Sequence, residues 1–469
     1  MSDLRRIVAI LIGLGLGAAF FWAMTSPMRQ GGKSGEGKTE KRPYNLLLIS
    51  MDALRPDRVG CYGYAQAHTT TIDGLSARGV RFTRMYAQSP WTRPSLVSLL
   101  TSRYPSECGM GRAPGESMDE VLQRYVLTVP ASAISLAQVA KEAGFATGAY
   151  MANPYMDPPL CEGVNRGFDR YWVGRTRDEE FAEVPCRAAG RWLQQNTGKS
   201  FFLWVHLLEP HSPYDPRTRP PAAPGSREEL FRMTVAQQLR GQELQPSELE
   251  LLRTLYDEEI AYADAQIGQL LAALERSGVA DRTVICFFAD HGEEFLDHGS
   301  LGHGQSLYQE LLHVPCIIVA PKVLPQVVNE PRGLMDLAPT LAVLCGLRVP
   351  GEWLGLDLFS QQAAASPPRP VFGESLLYGR EQKAVISGDW KIMCTMGQKY
   401  KAFDLATDPG EKKPLPADRA PADLKAALAS WATRMEEQAR ALRAQQTPRA
   451  PQMSEETRKA LETLGYVGH

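Results

Sequence analysis

Tyr44-Asn-Leu-Leu-Leu-Ile-Ser-Met-Asp52 is the stretch that decides the fold. Leu46 to Ile49 is apolar without alternation, the pattern of a strand covered on both faces. Asp52 closes the run at its carboxyl end, where parallel sheets bind their ligands. Comparable runs follow at Val80 to Tyr86, Ala146 to Ala152, Ser200 to Leu208, Val284 to Ala289 and Val314 to Ala320. Helical patterns lie between them. The longest places Leu252, Tyr256, Ile260, Ala263, Ile267, Leu270 and Leu274 at three- and four-residue steps, and Gly278 ends it. Such alternation predicts an α/β fold with a largely parallel central sheet flanked by helices.

The 469 residues suffice for one large α/β domain and a smaller appendage. Net charge is −2 and no basic stripe is present, which excludes a nucleic-acid footprint. Arg5 and Arg6 precede an uncharged apolar run from Ile7 to Met24, long enough to span a bilayer. Basic residues before the span put the N-terminus inside and the bulk of the chain outside. The expectation is a membrane-anchored, extracytoplasmic protein, periplasmic if the source is a Gram-negative bacterium; a cleaved signal is the alternative. Residues 1–27 are thus anchor or signal, and 28–42 a Gly-, Lys- and Ser-rich tether. The main domain is 43–364. Residues 365–469 change texture, with strand-like runs at Pro370 to Leu377 and Ala384 to Met396 and a helix from Ala422 to Arg443, a small α+β subdomain. Among eight cysteines, Cys161 and Cys186 could pair in an oxidising compartment; Cys286, Cys316 and Cys345 read as buried thiols.

Chemistry-bearing residues gather where strands end. Asp290 and His291 close the Val284 strand in Phe-Phe-Ala-Asp-His-Gly-Glu, with Gly292 allowing a sharp turn. In Pro90-Trp-Thr-Arg-Pro-Ser-Leu-Val-Ser-Leu-Leu, Thr92 stands at the mouth of a helix, where amides and dipole favour an anion. Asp52, Asp290, His291 and Thr92 form a mixed oxygen and nitrogen set for one divalent ion, Zn²⁺, Mn²⁺ or Ca²⁺. His211, in Glu-Pro-His-Ser-Pro-Tyr, and His303, in Leu-Gly-His-Gly-Gln, sit in loops after strands and suit contacts to an anion or protonation of a leaving group. His206, His298 and His313 rank below them as structural histidines.

These motifs together resemble the sulfatase family of the alkaline phosphatase superfamily, across nearly all of Tyr44 to His469. Ile49 to Tyr62 resembles its first metal strand, and Thr71 to Ala87 the approach to the nucleophile. Leu99 to Pro105 is similar to its Leu-Leu-Thr-Gly-Arg-x-Pro, His303 to Pro315 to its substrate-side loop, and Asp336 to Gly346 to its Asp-Leu-x-Pro-Thr-Leu segment. Phe403 to Glu411 and Leu464-Gly-Tyr-Val resemble its tail. The resemblance implies an alkaline-phosphatase-like fold and ester hydrolysis at a metal site.

Departures from the family pattern sharpen that expectation. Thr92 occupies the position of the Cys that becomes formylglycine, and Leu96 that of the Arg in Cys-x-Pro-x-Arg. The paired Asp-Asp is Asp52-Ala53, and Tyr150 to Asn153 replaces Gly-Lys-Trp-His. The set Asp52, Thr92, Asp290 and His291 looks like that of the Thr-nucleophile relatives, the phosphoethanolamine and lipoteichoic-acid transferases. The expected activity is hydrolysis or transfer of a phosphate ester, or of a sulfate ester. Thr92 is the nucleophile, His211 and His303 the catalytic histidines, and Arg93 and Asn153 the substrate contacts. The substrate class is a small-molecule, glycan or lipid-headgroup ester. A true sulfuric ester hydrolase and a catalytically silent sulfatase-fold scaffold are the alternatives.

Overall fold

In the computed structural model, residues 43–112, 115–124, 126–214, 244–363, 369–395, 400–449 and 454–463 are described. The Ile7 to Met24 run, the tether and the Leu464-Gly-Tyr-Val tail lie outside them. Among the described residues no helix is long and apolar enough to cross a membrane.

The elements that position the site are, in chain order, β1 (Asn45–Met51), α1 (Thr70–Arg78), β2 (Val80–Tyr86), α2 (Thr92–Thr101), β3 (Ala146–Met151), β4 (Arg170–Val173), α3 (Glu183–Asn196), β5 (Phe201–Leu207), α4 (Pro246–Arg276), β6 (Thr283–Ala289), β7 (His313–Val319), β8 (Gln326–Val328) and β9 (Arg332–Gly333). They build one nine-stranded sheet in the order β8-β2-β7-β6-β1-β5-β3-β4, with β9 also on β2. The predicted alternation is present: β1 pairs in parallel with β5 and β6, and β3 with β5 and β4. Strand β7 is the exception, antiparallel to both β6 and β2. The central strands β1, β5 and β6 are buried along their whole length, which is why their sequences show no alternation.

The long helix α4 buries the predicted stripe from Leu252 to Leu274. One polar residue inside that stripe, Asp264, accepts the amides of Thr71 and Ile72 at 2.9 Å each and so caps the start of α1. Cys161 and Cys186 are both free buried thiols, so the disulfide held open by their sequence positions does not form.

The C-terminal region folds as the predicted smaller unit, an antiparallel sheet of β10 (Val371–Gly373), β11 (Gln382–Ser387), β12 (Trp390–Thr395), β13 (Tyr400–Asp404) and β14 (Leu415–Pro416) with helix α5 (Ala422–Ala444). The strand-like run from Ala384 forms the β11–β12 hairpin, with Gly388 at φ +53° in the turn. A buried ion network ties this sheet to the segment after α2. Glu374 accepts the amide and hydroxyl of Ser106 at 2.8 Å each, and Lys383 lies 2.5 Å from Glu374 and 3.2 Å from Glu381.

Arg55 braces the loop after β6. Its guanidinium is 2.7 Å from Asp297 and donates to the Glu293 carbonyl at 3.0 Å. Burial alone would raise the Asp297 carboxyl, but the Arg55 bonds override it and hold it down at about 2. A depressed folded-state value means that the pairing stabilises the fold above the ordinary carboxylate range and is lost as pH falls through about 2. Asp297→Asn is therefore expected to cost about 2 kcal/mol at pH 7, with the gap to wild type shrinking by about half near pH 3. Urea denaturation at both pH values measures it; an equal gap at both would refute the assignment.

Candidate active site

Register brings the acids together before any side chain is considered. Met51 pairs with Ala289 and with Leu207, so Asp52 and Asp290 leave neighbouring strands side by side, with β5 on the far side of β1. All three strands are fully buried, and both carboxylates are too. Asp290 Oδ1 accepts the His291 amide at 2.9 Å and the Ala53 amide at 3.2 Å. Ala53 adopts φ +58° to make that bond, a left-handed conformation that a non-glycine residue holds only where its surroundings compel it. Both donors fall on Oδ1, and Oδ2 is left in the interior without a hydrogen bond.

Thr92 is the first residue of α2, every residue of which is buried. Its Oγ1 lies 3.4 Å from Asp52 Oδ2 and 3.3 Å from His291 Nε2. Ser95, one turn on, donates to the Asp290 carbonyl at 2.6 Å and locks α2 to the β6 loop. The His291 ring has Nδ1 2.9 Å from the Gly292 carbonyl. A carbonyl only accepts, so Nδ1 carries the hydrogen and Nε2 faces Asp52 Oδ1 at 3.2 Å and Asp290 Oδ2 at 3.6 Å. Gly292 is required here for close approach: a Cβ would overlap the Glu310 carbonyl oxygen. Its φ is not positive, so the position needs the missing Cβ and not a left-handed backbone.

Sequence reasoning passed over His206. Its Nε2 sits 3.4 Å from Asp52 Oδ2, and one ligand atom each from Asp52, His206 and Asp290 lie within 4.8 Å of one another. Ser50, paired with His206 across β1 and β5, places its Oγ 2.9 Å from Nδ1 and accepts Trp204 Nε1 at 2.9 Å. The signal was available: an imidazole in an otherwise apolar, fully buried strand needs a polar partner at the same level of the sheet.

The electrostatics call for a cation. Burial pushes the Asp290 carboxyl up to about 6, and the Asp52 charge adds to it. Burial opposes ionisation of Asp52 as well, but the imidazoles of His206 and His291, 3.4 and 3.2 Å away, hold it well below the usual range. Burial also disfavours a charged His291, yet Asp290 and Asp52 lift it to about 9. Asp52 Oδ1, Asp290 Oδ2 and His206 Nε2 are buried without hydrogen-bond partners. Unpartnered oxygens and nitrogens converging on one point are the donor set of a divalent ion.

His303 and His211 adjoin this centre, their rings 4.4 Å from His291 and 4.8 Å from His303 respectively. Burial drives His211 down to about 4 and His303 to about 3, so both are neutral imidazoles. His211 Nδ1 is 2.5 Å from the Ser212 carbonyl. Arg93 is packed flat on Tyr155, its guanidinium carbon 3.4 Å from the ring centroid and Nε donating to the Tyr155 carbonyl at 2.6 Å. Asn153 is engaged inside the protein at both ends of its amide. It donates to Asp52 Oδ2 at 2.7 Å and accepts the Tyr155 amide at 2.8 Å, so the structure places it as a support of Asp52. Leu96 is fully buried in the core.

The model of the sulfatase family matches residues 44–347. Steryl-sulfatase of Mus musculus is 26% identical over an alignment covering 66% of this chain and 63% of the relative, so the chain spans less than two thirds of that protein's length. Among solved structures, the chain is similar to a 2-O GAG sulfatase at TM-score 0.66 and 20% identity, over 89% of this chain and 100% of the other. It is also similar to the phosphonate monoester hydrolase of Agrobacterium radiobacter at TM-score 0.63 and 23% identity, over 87% and 96%. At those identities the likeness is one of fold.

Elemental analysis of purified protein is expected to return one divalent ion per chain. Asp52→Asn, Asp290→Asn and His206→Ala should each weaken its retention on dialysis against a chelator at least about tenfold, whereas Thr92→Ala should keep the ion. A metal-free protein of full activity would rule the centre out.

Proposed function

The chain belongs to the sulfatase family, and on that premise we propose that it is a metal-dependent hydrolase or transferase of ester-linked phosphate, with sulfate as the second candidate, acting through Thr92. One observation carries the reading: the Thr92 alcohol stands at a buried helix start within 3.4 Å of Asp52 and 3.3 Å of His291. Thr92 Oγ–H gives up its proton as Oγ bonds to phosphorus and the ester P–O bond breaks, and the departing oxygen takes the electron pair, the released proton balancing its charge. A second in-line attack, by water or by an alcohol, breaks the Oγ–P bond and frees Thr92. The helix start presents its amides to the anion, and the Arg93 guanidinium adds positive charge beside it. Asp52, Asp290, His291 and His206 would hold the divalent ion, which lowers the pKa of an adjacent alcohol and offsets charge on the ester oxygens. Two imidazoles with two carboxylates suit Zn²⁺ or Mn²⁺ better than Ca²⁺, which favours oxygen ligands.

Phosphate is preferred on chemical grounds. Formylglycine releases sulfate by elimination, a route closed to a Thr ester, whereas a Thr phosphate ester is cleared by a second displacement. The fold neighbour named as a phosphonate monoester hydrolase supports phosphoryl chemistry on this scaffold. Sulfatase names among the relatives favour the sulfate reading. The convergence of Asp52, Thr92, Asp290 and His291 speaks against a silent scaffold. The basic and apolar N-terminal pattern supports an extracytoplasmic location, with a small molecule, glycan or lipid headgroup bearing the ester.

Turnover of p-nitrophenyl phosphate and p-nitrophenyl sulfate by the metal-loaded protein, with intact-mass analysis of quenched samples, tests this. Phosphate should turn over faster, and the Thr92 peptide should gain one phosphoryl group. Thr92→Ala should lose at least about 10³-fold in turnover. Full activity in that variant would overturn the mechanism, and faster sulfate cleavage would establish the second candidate.

A further inference from the structure

Glu293 plays no part in the chemistry above, yet it is fully buried where three motif loops meet. Its Oε1 lies 2.9 Å from His303 Nδ1, and its Oε2 accepts the Tyr214 hydroxyl at 3.1 Å. Its own carbonyl is held by Arg55 at 3.0 Å. One side chain, two residues beyond His291, therefore joins the loop that carries His303 to the loop that carries His211 and Tyr214. A buried carboxylate placed this way does two things. It fixes the rotation of the imidazole ring, and, when ionised, it can only accept, which puts the ring hydrogen on Nδ1. With Nδ1 turned to Glu293, Nε2 is the nitrogen on the opposite edge of the ring, which stands 4.4 Å from the ring of His291.

We infer that Glu293 is a positioning residue, holding His303 so that Nε2 receives the proton of the second nucleophile when the Thr92 ester is cleared. This rests on Thr92 forming that ester. In the step, the O–H bond of water or an acceptor alcohol breaks, the proton goes to Nε2 and the oxygen bonds to phosphorus. The Oγ–P bond breaks with its electron pair returning to Thr92, which then takes the proton from Nε2 and restores both residues. Nδ1–H stays on Glu293 throughout, so the carboxylate faces the transient positive charge of the ring.

The inference separates the two halves of the reaction. With metal-loaded protein and p-nitrophenyl phosphate, rapid-quench kinetics read release of the first product, and intact mass reads the Thr92 adduct. Glu293→Ala should keep the first release, lower steady-state turnover at least about tenfold and accumulate the adduct. Glu293→Gln should recover most of the loss, because an amide oxygen still accepts from Nδ1. Tyr214→Phe, which frees Oε2 and removes no charge, should accumulate adduct to a smaller extent, and it carries the test should Glu293→Ala fold poorly. Metal content and melting temperature of each variant exclude loss of the centre or of the fold. First release and turnover falling in proportion in Glu293→Ala, or neither changing, would overturn the inference while leaving Thr92 in place. Full activity in Thr92→Ala would remove the nucleophile and this inference together.

Discussion

Two carboxylates forced side by side in a fully buried sheet are the constraint on which the rest of this protein depends. Register alone puts Asp52 and Asp290 at the ends of neighbouring strands, and neither can reach water. Repulsion and desolvation of that size are tolerated only if positive charge is supplied between them. In the protein by itself His291 supplies it, raised to about 9 by the two acids. The same demand makes the position attractive to a divalent ion.

Much of the surrounding structure serves to keep the acids pointing inward. Backbone amides of Ala53 and His291 take one oxygen of Asp290, Asn153 takes one of Asp52, and Ser95 anchors the helix of Thr92 to the Asp290 turn. Ala53, directly after Asp52, contributes its amide to Asp290 from a left-handed conformation. His206 stands on the opposite side of Asp52 with a second imidazole.

What could be read along the chain were features with a local cause. Unbroken apolar runs at β1, β5 and β6 announce burial on both faces, and acidic residues directly after two of them mark the ligand-binding edge. The α4 stripe was equally plain, because helical period needs no partner to be seen. The reversal of β7 and the internal engagement of Asn153 were not legible. Each depends on what another segment does in space.

The sequence by itself determined the α/β alternation, and it pointed to Thr92 at a helix start and to Asp52, Asp290 and His291 at element ends as the candidate donor set. These follow from periodicity and from residue type at element ends. Only tertiary structure decided that His206 faces Asp52, that Asn153 supports a carboxylate, and that Glu293 joins Tyr214 to His303. The physical reason is distance along the chain. Strand pairing brings Asp52 beside His206 and Asn153, about a hundred or more positions away along the chain, and which residues share a level of the sheet is set by register, a property of two strands jointly and of neither alone.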